Sequence, residues 1–298
     1  MAAPMEPLPL RPLASSVPGP RELLEIARKA ARAGGRRTLE YFGGRLPAET
    51  KSDGSPVTRA DRASEAAIRA VLRRERPHDG VTGEEGGVRP GRTPVHWIVD
   101  PIDGTKSFVH GVPLYSVLVA AEVDGEPTVG VIHMPALGET VAAARGLGCR
   151  WNGRAAHVSR TERLSEATVL TTSVRGLEAR GVPFRRLAHR SRWQRGWGDG
   201  YGYALVATGR ADAMIDSAVQ IWDAAPLLPI LAEAGGRFSD WTGRASIRGP
   251  DAVGTNGLLH EEMLRLLGRE RLPPSGRTRA HPAPGGPRRR SRTDRPPR

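Results

Sequence analysis

The chain of 298 residues is 38% hydrophobic, enough to bury a sizeable core in one large domain or two halves, which excludes a fibrous or wholly disordered protein. Its one cysteine, Cys149, excludes an intrachain disulfide and a cysteine zinc site, and fits a reducing cytoplasm. A net charge of +13 invites a nucleic-acid reading, yet ten arginines against Glu270 and Asp294 put eight of those charges in residues 269–298.

Residues 1–19 are broken by prolines, so the sequence predicts a disordered N-terminus with no secretion signal; no stretch of the chain is apolar enough to predict a membrane span. A helix is predicted from Pro20, because Leu23, Leu24, Ile26, Ala27, Ala30 and Ala31 form one stripe and proline suits the first turn. A second runs from about Thr58, with Asp61 three residues on as a capping-box-like start, to Arg76 before Pro77. The apolar strand VHWIVD leads straight into DPIDGT. LYSVLVAAEV and TVGVIHM then form a hairpin turning at Asp124-Gly125, and TVAAARGLGCRWNGRAA predicts another turning at Asn152-Gly153. After a strand at ATVLTT come a helix following Gly200, the strand ADAMID, the helix DAAPLLPILAEA closed by Gly235-Gly236, and the strand RFSDW. Residues 269–298 are rich in Pro, Gly and Arg and predict a disordered tail. That tail could reach RNA through counterion release, but it lacks interleaved aromatics, so a solvated extension is the preferred reading. The mixture of helices and hairpins predicts an α+β fold of sheets covered by helices.

Acidic residues cluster at predicted element ends: Asp61, Glu84-Glu85, Asp100 with Asp103, and Asp223. Taken singly, Asp61 and Asp223 read most simply as helix caps. WIVDPIDGTKSF resists that account, because a carboxylate at the end of a buried strand is costly unless a cation meets it. Oxygen ligands without His or Cys favour magnesium or manganese over zinc. Asp103-Gly104-Thr105 adds backbone N–H groups at a helix start that suit a phosphate.

DPIDGTKSF, followed much later by IWDAAP and accompanied by KSDGSPVTRAD and TGEEGG, resembles the inositol monophosphatase family over roughly residues 20–268. The resemblance implies a layered αβαβα sandwich, commonly a homodimer, with a metal-binding half over about 20–150 and a substrate half over about 151–268. Carried onto this sequence, it makes Glu84, Asp100, Asp103, Asp223 and the carbonyl of Ile102 ligands to two or three magnesium ions. It gives Glu85 an accessory role, pairs Asp61 with Thr105 to orient an attacking water, and puts Lys51 on a mobile loop over the metals. The implied chemistry is metal-activated attack of water on a phosphate monoester, with no phosphoenzyme.

Gly104, Thr105, Arg195, Asp199 and Asp216 are the candidate substrate contacts. Asp199 stands where related phosphatases commonly have a small neutral residue, so two carboxylates would face the organic moiety and favour a cationic ester. WGDGYGYALVATG and the lysine at Lys106 resemble the histidinol-phosphate phosphatase branch, which makes L-histidinol phosphate the preferred substrate and histidine biosynthesis the setting. Inositol 1-phosphate or a range of sugar phosphates is the alternative. Fructose bisphosphate and 3′-phosphoadenosine 5′-phosphate would be repelled by Asp199, although Arg192 and Arg195 could attract them. More remote readings are an inactive binding protein and a nucleic-acid-associated protein working through its tail. Trp97, Trp151 and Trp222 read as packing, Trp197 as a candidate wall for an imidazole, and Cys149 as a buried thiol. His110 and His133 lack a metal-ligand partner at i+4.

Overall fold

The computed structural model describes residues 17–44, 49–50, 56–57 and 59–268. The expectations for residues 1–16 and 269–298, for Thr58 as a cap and for Lys51 lie outside these. In chain order the elements are α1 (Pro20–Leu39), β1 (Glu49–Thr50), β2 (Pro56–Val57), α2 (Arg59–Glu75), β3 (Gly80–Gly83), β4 (Gly87–Arg89), β5 (Val95–Asp103) and α3 (Thr105–Val109). Next come β6 (Ser116–Val123), β7 (Glu126–Met134), β8 (Glu139–Ala144), β9 (Cys149–Trp151), β10 (Arg154–Ala155), β11 (Thr168–Thr171), α4 (Val174–Ala179), α5 (Phe184–Arg190) and β12 (Trp193–Arg195). The chain then runs through α6 (Asp199–Ala207), β13 (Ala213–Asp216), α7 (Ile221–Ala224), α8 (Leu227–Glu233), β14 (Arg237–Ser239), β15 (Ala252–Thr255) and α9 (His260–Gly268).

An eight-stranded sheet runs β10-β9-β8-β7-β6-β5-β3-β4 and a five-stranded sheet β12-β11-β13-β15-β14. In the larger sheet β3 and β5 are parallel, while β5, β6, β7 and β8 form an antiparallel meander. Its central strands are apolar on both faces, and alternate residues divide between two cores. Trp97, Val99, Val117, Val119, Val129 and Val131 pack with Leu23, Ile26 and Ala30 of α1 and Ile68 and Leu72 of α2. Ile98, Leu118, Ala120 and Ile132 face the other way, onto α6 and α8 and through them onto Met214, Phe238 and Ala252 of the five-stranded sheet. On the far side of that sheet Val169, Ala213, Ile215 and Val253 pack with Leu177, Leu187, Met263 and Leu266. The layers are thus helices, sheet, helices, sheet, helices, the expected αβαβα sandwich. The middle core unites residues from both expected halves, Ile98 to Ala252.

The β6–β7 turn forms at Asp124 and Gly125, both at positive φ, so Val123 pairs with Glu126. Asn152-Gly153 turns β9 into β10, and the segment expected as one hairpin is two successive antiparallel steps, β8–β9–β10. The helix expected from Asp223 to Ala234 is broken into α7 and α8 at Pro226, whose ring and missing N–H cannot continue α7.

A candidate metal and phosphate site

Asp100 and Asp103 lie three residues apart, which in a regular strand would send their side chains to opposite faces. β5 shifts register between them: Asp100 pairs with Leu118 and Asp103 with Ser116. Those partners sit two residues apart on one face of β6, so the irregularity brings both carboxylates to the same side. There the Asp103 Oδ2 accepts from Ser116 Oγ at 2.9 Å and from the Gly200 N–H at 2.5 Å. Asp100 Oδ1 accepts from the Ile102 N–H at 3.0 Å, and the Thr105 hydroxyl donates to the Ile102 carbonyl at 3.0 Å.

Asp223 enters from α7 in a reciprocal cap: its Oδ2 accepts from the Gln220 N–H at 2.8 Å while the Gln220 side chain takes the Asp223 N–H. The capping reading and the convergence are both met, because one oxygen from each of Asp100, Asp103 and Asp223 lies within 4.8 Å of the others. Glu84 follows β3, its N–H donating to Val99 O at 3.3 Å, and its carboxylate acts on Asp100. Asp61 is fully buried in the first turn of α2, beside Ala60, which packs with Ile102 and Phe108. Sequence reasoning missed how α2 steadies these loops. Glu65 accepts from the Glu85 and Gly86 N–H groups at 2.8 and 2.9 Å, and Ser64 Oγ donates to Pro101 O at 3.1 Å. The available signal was three polar residues, Asp61, Ser64 and Glu65, on the same helical stripe as Ile68 and Leu72.

The electrostatics are those of acids crowded away from water. Burial, then the Glu84, Asp103 and Asp223 carboxylates, hold Asp100 well above the usual value of 3.8. Burial, then Asp199 and Asp223, raise Asp103 well above it too. Asp223 is pushed up to about 6, by burial first. Among the described residues none of the three is ion-paired with lysine or arginine. A set of oxygen donors of this kind, with neither His nor Cys, fits a hard divalent cation.

Beside the carboxylates opens a cleft of about 340 Å³, lined by Gly104, Thr105, Lys106, Thr172, Ser173 and Asp199 among others. A second cavity of about 50 Å³ is lined by Asp103, Asp199, Tyr203, Asp216 and Asp223, and Thr172 and Asp199 border both. Gly104 is left-handed at φ +84°, and a Cβ there would sit 3.0 Å from Asp199 Oδ2 and 3.2 Å from the Leu114 carbonyl. Asp199 is raised by burial and pulled back by Lys106 and by the Thr172 hydroxyl. Asp216, buried at the end of β13, is pushed up to about 7, by burial first, while Thr172 opposes the shift. Arg195 is placed elsewhere. On edge strand β12 its guanidinium lies 5.4 Å from the Trp193 ring and 6.0 Å from the Trp197 ring, in a separate groove with Thr168 and Arg210. Trp197, considered as an imidazole wall, lines that same groove. Cys149 is a buried thiol, pushed up to about 12 by burial.

Residues 20–271 match the family model described as "Inositol monophosphatase family". A protein named histidinol-phosphatase from Chlorobaculum parvum is 42% identical over 249 residues, covering 82% of this chain and 96% of that one. Another of that name, from Mycobacterium tuberculosis, is 44% identical over 229 residues, 74% of this chain and 88% of its own. Among solved structures, the extragenic suppressor protein SuhB of Bartonella henselae superposes with a TM-score of 0.78 at 29% identity, covering 83% of this chain and 98% of its own.

Proposed function

The chain belongs to the inositol monophosphatase family, and from that premise we propose that it is a magnesium-dependent phosphomonoesterase whose preferred substrate is L-histidinol phosphate. The observation that carries the phosphatase reading is the convergence of buried Asp100 and Asp103 with half-buried Asp223, none of them ion-paired with lysine or arginine among the described residues. These three, with Glu84 and the Ile102 carbonyl, are the residues that would hold the metal ions. When bound, such ions supply Lewis-acid charge for the phosphate oxygens and make water a better nucleophile.

The chain's own groups do the rest. Gly104 would let a phosphate approach the backbone at the start of α3; Thr105, whose Oγ1 donates to Ile102 O, would orient a water with Asp61, and Glu85 would assist a further metal or its water. Water adds to phosphorus as the ester P–O bond breaks, giving inorganic phosphate and L-histidinol, whose alkoxide takes up a proton.

Asp199 and Asp216 support the choice of ester. Two acidic side chains bordering the 50 Å³ cavity attract an ammonium or imidazolium and disfavour a second phosphate. Lys106 partly neutralises Asp199, which moderates this preference. With Arg195 in another groove, the attraction once considered for strongly anionic esters loses one of its two arginines. The relatives named histidinol-phosphatase point the same way.

The test is phosphate release from L-histidinol phosphate, inositol 1-phosphate, fructose 1,6-bisphosphate and 3′-phosphoadenosine 5′-phosphate, with magnesium and after chelation. The expected outcome is the highest kcat/KM on L-histidinol phosphate and loss of turnover on chelation. Faster hydrolysis of either bisphosphate would overturn the substrate, and turnover independent of metal would overturn the chemistry. Manganese in place of magnesium is a further arm of the same assay.

A further inference from the structure

Three residues other than glycine take a positive φ among the described residues: Asp124, Asn152 and Asp199. The first two open two-residue turns and are followed by glycine, where this conformation is usual. Asp199, at φ +55° and also followed by glycine, opens helix α6 inside the candidate site rather than a two-residue turn, and a left-handed residue bearing a Cβ there needs something to hold it. What holds it is Thr172, just past the end of β11. The Asp199 N–H donates to Thr172 Oγ1 at 2.8 Å. Gly198 presses on the same residue, so that a Cβ at that position would lie 2.5 Å from Thr172 Cα and 2.6 Å from its Oγ1.

The consequence is positional. Turned left-handed, Asp199 sets Oδ2 over Gly104, close enough that a Cβ on Gly104 would reach it at 3.0 Å. The Thr172 side chain, Asp199 and Asp216 all line the smaller cavity. Thr172 therefore holds the backbone of one of the two acids that we assign to the substrate's cationic end, and it borders both cavities.

We propose that Thr172 is a positioning residue for substrate selectivity: its hydroxyl fixes Asp199 in a left-handed conformation, so that the Asp199 carboxylate, with that of Asp216 in the same cavity, faces the cationic part of the ester. This rests on the reading of the substrate given above. It deepens that reading by naming a neutral residue, outside the acidic signature, on which the preference depends.

The test compares wild type, Thr172→Val, Thr172→Ser, Asp199→Asn and the Thr172→Val/Asp199→Asn double variant in magnesium. The substrates are L-histidinol phosphate and glycerol 2-phosphate, which carries no cation. Thr172→Val should raise KM for L-histidinol phosphate by up to about tenfold, as loss of a hydrogen bond does, with a smaller change in kcat. The ratio of kcat/KM between the two esters should fall in step, and Thr172→Ser should restore it. In the Asp199→Asn background the valine should change that ratio by less than about twofold, because the two residues act as one unit. An equal loss on both esters, full additivity in the double variant, or failure of serine to rescue would overturn the proposal. If Asp199→Asn erases a preference that Thr172→Val leaves intact, the substrate reading stands and the role of Thr172 falls. A wild type that treats the two esters alike overturns the substrate reading and this inference with it.

Discussion

Asp103 shows how closely a single carboxylate is fitted. Its Oδ2 takes two donors, Ser116 Oγ and the Gly200 N–H, and a Cβ on Gly200 would lie 2.6 Å from that same oxygen and 2.6 Å from the serine hydroxyl. Gly200→Ala should therefore displace Asp103 rather than merely perturb α6. The expected outcome is a loss of about 1–3 kcal/mol in stability from overpacking, seen in urea unfolding. The magnesium concentration for half-maximal activity should also rise by about tenfold or more, as when a group orienting a metal ligand is disturbed. A variant with wild-type magnesium dependence would show that the hydrogen bond to Gly200 does not position Asp103 for a metal. Asp100→Asn makes the opposite point. Asp100 is held well above the ordinary carboxylate range by burial and by Glu84, Asp103 and Asp223, so neutralising it removes repulsion from the metal-free protein. Asp100→Asn should abolish turnover, by about 10²-fold or more, and yet raise the Tm measured in chelator at neutral pH. A lower Tm would mean that its hydrogen bond to Ile102 outweighs the repulsion.

At the scale of elements, Asp223 depends on the break between α7 and α8. The Pro226 carbonyl at that break presses on β7 so closely that a Cβ on Gly130 would collide with it. Gly130→Ala should push the break away from the sheet, costing about 1–3 kcal/mol by the usual effect of overpacking, and it should weaken magnesium binding because α7 carries Asp223. Calorimetric titration with magnesium alone separates the two effects, and unchanged affinity would show that α7 moves independently of the break. Much of this architecture was legible in the sequence, since the informative signals were local. The positive-φ pairs Asp124-Gly125 and Asn152-Gly153 marked their turns, and DPIDGT marked the end of β5. What stayed hidden depends on partners distant in sequence. The parity of Asp100 and Asp103 is set by pairing with β6, the support from Glu65 by a loop 20 residues on, and the position of Thr172 by the first residue of α6. Pro226 was a local signal for a helix break, and the apolar run around it masked that signal.

Across the whole molecule, the carboxylates meet where the end of β5 lies against α2, α6 and α7. None of the helices among the described residues is long and apolar enough to cross a membrane. Concentrating buried acids at this junction makes the stability of the entire fold depend on pH and on metal. Burial first of all pushes Asp216 up to about 7 and Asp223 up to about 6, and Asp100 and Asp103 are raised as well, against 3.8 for an ordinary aspartate. A folded state with raised acid pKa values binds protons more tightly than the unfolded chain. The resulting stability is fully present below about pH 4 and is lost as pH rises through about 6 to 7. In chelator, the Tm should therefore fall from pH 5 to pH 8, whereas surface ion pairs alone would leave it nearly level. Magnesium should compensate these charges, so the gain in Tm on adding it should grow with pH, and the added stability should approach about 2.7 kcal/mol when the free ion is at a hundred times its Kd. Differential scanning calorimetry at pH 5, 6, 7 and 8, with chelator and with magnesium, measures both trends. A metal-free Tm that rises with pH, or a magnesium gain that is the same at every pH, would mean that these acids are not held together in the folded protein as ionised groups awaiting a cation.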